Sequence, residues 1–167
     1  MNNYESKQEI ALYPSMLKWL QMYLENKHPK AVIKTYDVHS VDLSDFIQRN
    51  KYTKYFPEYA TYKIRVDLLG MILEKDKCNL VFVEVKDTPL SLINLSQLLG
   101  YCKILMPEFA FLISPKGLAK PLSQLLVHFN RLDILEFDKN KFVRVAKWNP
   151  TRNAIEIDSI IPPLGNL

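Results

Sequence analysis

The sequence predicts an α/β domain: a central mixed β-sheet flanked by α-helices. Three observations carry that prediction. Helical and strand-like periodicities alternate along the chain, two neighbouring strands are separated only by a short turn, and the segment after them reads as a helix leading to a short buried strand. At 167 residues the chain fits a single domain, 1–167, because domains run to about 100–200 residues.

The elements follow in order. Ile10, Tyr13, Leu17, Leu20 and Leu24 recur at three- and four-residue steps, which predicts an amphipathic helix. Pro14 lies within it, and an interior proline lacks an N–H and costs about 3 kcal/mol. A kink is therefore expected, or a helix that starts near Pro14. KAVIKTYDVHS (30–40) predicts a strand, and the polar, aromatic LSDFIQRNKYTKYFPEYA predicts helical turns and loop. TYKIRVDLLGMIL (61–73) alternates, with Ile64, Val66 and Leu68 on one face and Lys63, Arg65 and Asp67 on the other. A turn over 74–79 returns the chain as the antiparallel strand LVFVEVK (80–86). Thr88 as N-cap and Pro89 at the first helical position predict a helix start. Its core column would be Leu95, Leu99, Cys102 and Leu105 or Met106. FAFLIS predicts a buried strand, KPLSQLLVHF a second helix and LDILEFDKNKFVRVAKW a hairpin, so a helix and hairpin occupy about 120–148. The tail IIPPLGNL predicts a strand end or a docked extension.

Composition narrows the function. No apolar run approaches the roughly 20 residues that span a bilayer, and MNNYESKQEI lacks the apolar stretch of a signal peptide. Cys78 and Cys102 form no CxxC, which suits reduced thiols in a cytoplasmic protein. The net charge of +4 permits a polyanionic partner without requiring one. SPKG lacks a phosphate-loop pattern, so no nucleotide cofactor is expected. His28, His39 and His128 are scattered, without metal-ligand spacing, and read as structural or surface residues.

Chemistry concentrates in LVFVEVKDTP. Glu84 and Lys86 share one side of their strand, while Val81, Val83 and Val85 face the other. The hairpin can set Asp67 across from Glu84, giving two carboxylates, an ammonium and the Val85 carbonyl around one point. Carboxylates of this kind hold Mg2+ while leaving waters in its shell. The metal acidifies a bound water, and a lysine orients hydroxide or shares developing charge. The same Glu-X-Lys also fits an ordinary polar strand face. In the following helix Gln97 and Tyr101 lie four apart, on one face, offset from the core column.

Together these residues resemble the PD-(D/E)XK nuclease superfamily over about residues 5–115. The superfamily's Asp matches Asp67 in RVDLLG, its Glu-X-Lys matches Glu84 and Lys86, and the Gln-x-x-x-Tyr of RecB-like members matches Gln97 and Tyr101 in QLLGY. One departure is that no proline precedes Asp67. The resemblance implies a restriction-endonuclease-like core and a Mg2+-dependent DNA endonuclease, with Mn2+ able to substitute. It implies metal binding by Asp67, Glu84 and the Val85 carbonyl, with Glu9, or less favourably Glu5, contributed by the first helix. Lys86 would position the attacking hydroxide, and Gln97 and Tyr101 would support the site or contact phosphate. A lone catalytic core cuts one strand, so double-strand cleavage implies a homodimer or a partner subunit. Two rivals stay open: a nuclease fold that binds DNA or serves as a subunit without cutting, and an α/β interaction protein.

A nucleic-acid surface is expected at RNKYTKYFPEYATYKIR (49–65), where Arg49, Lys51, Lys54, Lys63 and Arg65 alternate with aromatic rings. A solvated loop whose tyrosines cover the core fits those residues equally. Lys116 and Lys120, with Lys139, Lys141, Arg144 and Lys147, would extend the surface.

Overall fold

The apolar column Tyr13, Met16, Leu20 and Leu24 is buried along one side of the first helix, α1 (Lys7–Lys27), in a computed structural model that describes residues 6–164. Glu5 and the rest of 1–5 lie outside the described residues. The helix neither starts at Pro14 nor breaks there, and Pro14 sits inside it with its ring exposed. Each buried apolar side chain contributes about 1.5–3 kcal/mol, so the column outweighs the lost hydrogen bond. Ser6 is the N-cap, its Oγ accepting the Glu9 N–H at 3.0 Å.

Strand β1 (Val32–Asp37) and helix α2 (Leu43–Arg49) follow, then two single 3-10 turns. Strand β2 (Leu68–Glu74) starts later than the expected 61. The residues before it are extended but bond to the start of α2, where the N–H groups of Leu43 and Ser44 donate to the Ile64 and Tyr62 carbonyls. That pairing takes them out of the sheet. Strand β3 (Lys77–Val85) returns after Lys75 and Asp76 alone, a tighter turn than 74–79. The register runs from Glu74↔Lys77 to Leu68↔Val83, so Asp67 falls opposite Glu84.

Helix α3 (Leu92–Leu105) starts at Ser91, not at Thr88-Pro89. Ser91 and Asn94 satisfy each other's backbone N–H groups in a capping box, and the Leu90 backbone is already paired with Gly117 and Ala119. Its buried residues are Leu95, Leu98 and Cys102, with Leu99 and Leu105 partly covered and Met106 at the left-handed C-cap. The helix crosses over to β4 (Phe109–Ser114), which lies parallel to β3. A short α4 (Lys120–Ser123) continues as a π turn, and the hairpin β5 (Glu136–Asp138) and β6 (Lys141–Asn149) follows, with β7 (Ala154–Ile155) on β6. The tail docks through Ile161, whose backbone pairs with Val145.

The open mixed sheet has the order β1-β2-β3-β4-β6-β5. Val81, Val83 and Val85 face α1, whereas Leu80 and Phe82 face the core shared with α3. Burial on both faces explains the near-continuous apolar run of β3. Cys78 and Cys102 are free and buried. No helix among the described residues is long and apolar enough to cross a membrane.

Gly70 lets α1 pack close to the sheet. A Cβ there would stand 2.8 Å from Leu24 Cδ1 and 3.0 Å from Val81 Cβ. Gly70→Ala is therefore expected to destabilise the fold by about 1–3 kcal/mol, as a lower melting temperature; an unchanged melt would mean the helix is free to shift.

Candidate active site

Asp67 stands at a bend just before β2, where its carboxylate replaces a strand contact. Oδ2 accepts the Val85 N–H at 2.7 Å and Oδ1 accepts the Tyr13 hydroxyl at 2.9 Å. These bonds pin it between the end of β3 and α1. Lys86 prolongs the strand direction, its N–H donating to the Ile113 carbonyl at 2.9 Å. Its Nζ donates to Glu84 Oε1 at 3.0 Å and lies 3.6 Å from Glu9 Oε1 and 3.9 Å from Asp67 Oδ2. Ser6 ties the start of α1 to this place: its hydroxyl donates to Asp87 while accepting from Glu9.

Three carboxylates thus face one ammonium out of water, Glu9 being 4%, Asp67 3% and Glu84 5% exposed. Burial pushes the Glu9 carboxyl up to about 7, with Lys86 opposing and the Asp67 and Asp87 charges adding to the rise. Burial, then Asp67, pushes Glu84 up to about 8 against the pull of Lys86. Burial also raises Asp67, restrained by Lys86, the Val85 N–H and the Tyr13 hydroxyl. For Lys86 burial acts downward, but Glu84, Asp67 and Glu9 together hold its pKa above the ordinary value, so it stays charged. Once Glu9 and Glu84 are both ionised, above about pH 8, one cation does not neutralise this cluster.

Glu84 Oε2 is the second feature of the cluster. It is buried with no hydrogen bond among the described residues, and an orphan acceptor of this kind costs about 1–3 kcal/mol, more when charged. An all-oxygen donor set with excess negative charge fits Mg2+ or Mn2+. Glu84 Oε2, Asp67 and Glu9 would hold the ion. Among the described residues no three acidic, imidazole or thiol side chains enclose an ion in this conformation; Lys86 stands among the carboxylates, and its ammonium has to yield space.

The pH dependence follows. Glu9 and Glu84 titrate near 7 and 8 in the folded protein, above the ordinary 4.5. Their contribution to stability is full below 4.5 and lost as pH rises through those folded values. Lys86, raised above its ordinary 10.5, adds no slope in that window. In EDTA the melting temperature should fall between about pH 5 and pH 8, and Mn2+ should restore it most at pH 8, where the carboxylates are ionised. A Mn2+ effect equal at both pH values would contradict this.

Gln97 and Tyr101 are paired with each other, Gln97 Nε2 donating to the Tyr101 hydroxyl at 3.0 Å. Both are half-buried on α3, and among the described residues neither hydrogen-bonds to the carboxylates. Val85 contributes its amide N–H, to Asp67.

The basic segment divides. Arg49, Lys51 and Lys54 are exposed, as is Lys116 after β4. Lys63 lies 3.5 Å from Asp45 and Arg65 2.7 Å from Asp42, so these two fasten the extended segment to α2. Tyr52, Tyr55, Tyr59 and Tyr62 pack against the α3-side core, as a covering loop requires. Lys120 and Lys139 are exposed, Lys141 pairs with Glu108 and Lys147 with Glu156, and Arg144 is half-buried. His28 and His128 lie against Phe109 and Phe129.

Tyr13, Ser6, Asp87 and His39 are the site residues missed in the sequence. Tyr13 is four residues after Glu9, on the same helix face, a signal masked by its place in the apolar column. Asp87 directly follows Glu-X-Lys. His39, whose ring is 5.4 Å from that of Tyr13 and whose charge acts on Asp67, comes from the loop after β1 and had no local signal. No protein-family model, curated protein or solved structure matches the chain.

Proposed function

We propose that the protein is a divalent-metal-dependent deoxyribonuclease that hydrolyses phosphodiester bonds through the Asp67–Glu84–Lys86 cluster. One observation carries this reading: among the described residues three buried carboxylates share a single ammonium, and Glu84 Oε2 is left without a partner. The element order adds support: with α2 and two 3-10 turns inserted between the first and second strands, a helix, three antiparallel strands, a crossover helix and a parallel strand occur in the order of the PD-(D/E)XK nucleases that the motif resembles.

When bound, Mg2+ or Mn2+ supplies Lewis-acid stabilisation and acidifies a water. Asp67, clamped by Tyr13 and the Val85 amide, offers preoriented carboxylate oxygens. Glu84 presents its free oxygen beside them, and Glu9 closes the site from α1. Lys86 carries a permanent charge next to the reacting phosphate and donates to a hydroxide or phosphoryl oxygen there. Gln97 and Tyr101, bonded to each other, would meet the nucleic-acid backbone rather than the metal. A single site cuts one strand, so duplex cleavage calls for a second copy or a partner subunit.

The non-cleaving DNA-binding alternative has its own observation, because Lys86 already occupies the space among the carboxylates. Incubating plasmid, single-stranded and branched DNA with Mg2+ or Mn2+, with EDTA and Asp67→Ala as controls, separates the two. The nuclease reading expects metal-dependent products that disappear in Asp67→Ala. Intact DNA with retained binding in a gel shift would leave the binding subunit.

A further inference from the structure

A groove of about 740 Å3 runs along the flank of α1 that faces the β6–β7 turn. Its walls are Pro14, Lys18, Trp19 and Tyr23 on the helix and Arg152 and Asn153 on the turn. We infer that this groove binds single-stranded nucleic acid leading away from the catalytic cluster, an inference that takes its direction from the nuclease reading.

Position is the first argument. Helix α1 carries both sites: Glu9 of the cluster lies five residues before Pro14 at the groove's end, about 7.5 Å along the axis at 1.5 Å per residue. From Pro14 to Asn26 the lining covers twelve residue steps of helix, about 18 Å at 1.5 Å each. That is the length of about five stacked nucleotides at 3.4 Å.

Chemistry is the second. Trp19 and Tyr23 stack on each other with centroids 5.5 Å apart. Edge contacts of Trp19 to Phe111 and Trp148, at 5.3 and 6.3 Å, hold it rigid. Both rings line the groove and are only half-buried, which suits base stacking, a sequence-tolerant contact worth about 1–3 kcal/mol per base. Lys18 and Arg152 are exposed, and among the described residues no carboxylate lines the groove. An anionic occupant with flat rings matches both features. By contrast, Lys63 and Arg65 in the expected basic segment are already engaged by Asp45 and Asp42.

The test is fluorescence anisotropy of a short fluorescein-labelled oligothymidine with the full chain in EDTA. Lys18→Glu combined with Arg152→Glu, both at exposed positions, should weaken binding at least tenfold. Removing two phosphate contacts should also lower the log–log salt slope by about 1.4, from about 0.7 per contact. Tryptophan emission should be quenched by the strand, and Trp19→Phe, which keeps an aromatic ring in place, should abolish the quench. An unchanged affinity in the charge-reversed protein overturns the groove, and so does an equal loss caused by Lys51→Glu with Lys54→Glu instead. Metal-dependent cleavage of plasmid, single-stranded and branched DNA by the wild-type protein is measured alongside. Its absence overturns the nuclease reading, whereas the affinities decide the groove by themselves.

Discussion

Glu84→Gln is expected to abolish metal-dependent cleavage and, in EDTA at pH 8, to raise the melting temperature. The two effects share one cause. Glu84 is a buried charge in a site with more carboxylates than cations, and burial and Asp67 both resist its ionisation. Glutamine keeps the shape and leaves an oxygen for the Lys86 ammonium, which now donates to Glu84 Oε1 at 3.0 Å. It removes the repulsion, so the folded state gains at pH values where Glu84 is ionised. The same change deletes the unpartnered oxygen that a divalent ion would use. Loss of a preorganised electrostatic group costs about 10²–10³-fold in rate, and loss of a metal ligand should cost at least that. Thermal melts and cleavage rates on one protein preparation check both halves. A variant that melts lower than wild type at pH 8 would show Glu84 to be a stabilising structural ion pair, against the metal reading.

Lys86→Met is expected to have the largest effect on stability. The ammonium is the sole positive group that the structure places within 4.0 Å of Glu9, Asp67 and Glu84 among the described residues, and its side chain is 14% exposed. Removing one partner of a buried pair typically costs about 3–5 kcal/mol, against about 0–1 kcal/mol for a surface pair. The deficit should be greatest near pH 8 and shrink towards pH 5, because Glu9 and Glu84 then take up protons instead of standing unpaired. Mn2+ should recover part of the lost stability by replacing the missing charge, though not the activity. Denaturant unfolding at both pH values, with Mn2+ or EDTA, measures this. A surface-pair-sized loss with no pH dependence would contradict the geometry of the cluster.

The frame of the candidate site was legible because strand geometry is strict. Alternation in LVFVEVK put Glu84 and Lys86 on one side, and a short turn sufficed to set Asp67 opposite Glu84, as the observed register does. Glu9 was suggested by resemblance alone, and the structure places it 3.6 Å from Lys86 Nζ. What escaped depends on partners distant in sequence. Asp67 continues the alternation on paper, yet it lies outside β2 because its side chain caps the Val85 N–H, a contact no periodicity reveals. Lys63 and Arg65 looked like a free basic patch until α2 supplied Asp45 and Asp42. Thr-Pro is a strong local signal for a helix start, yet α3 starts at Ser91, which prevails through a reciprocal bond with Asn94. Pro14 shows the reverse: its local penalty is visible in the sequence, and the packing of α1 that overcomes it is not.

Titrating Mn2+ into the protein at pH 8, and following the resonance of free Mn2+, tests the claim that this cluster is a metal centre most directly. Saturable uptake of one ion per chain, with proton release and with loss of binding in Glu84→Gln, is the predicted result. No saturable uptake by the wild-type chain, or equal uptake by Glu84→Gln, would contradict it and leave Glu9, Asp67, Glu84 and Lys86 as a structural ion cluster.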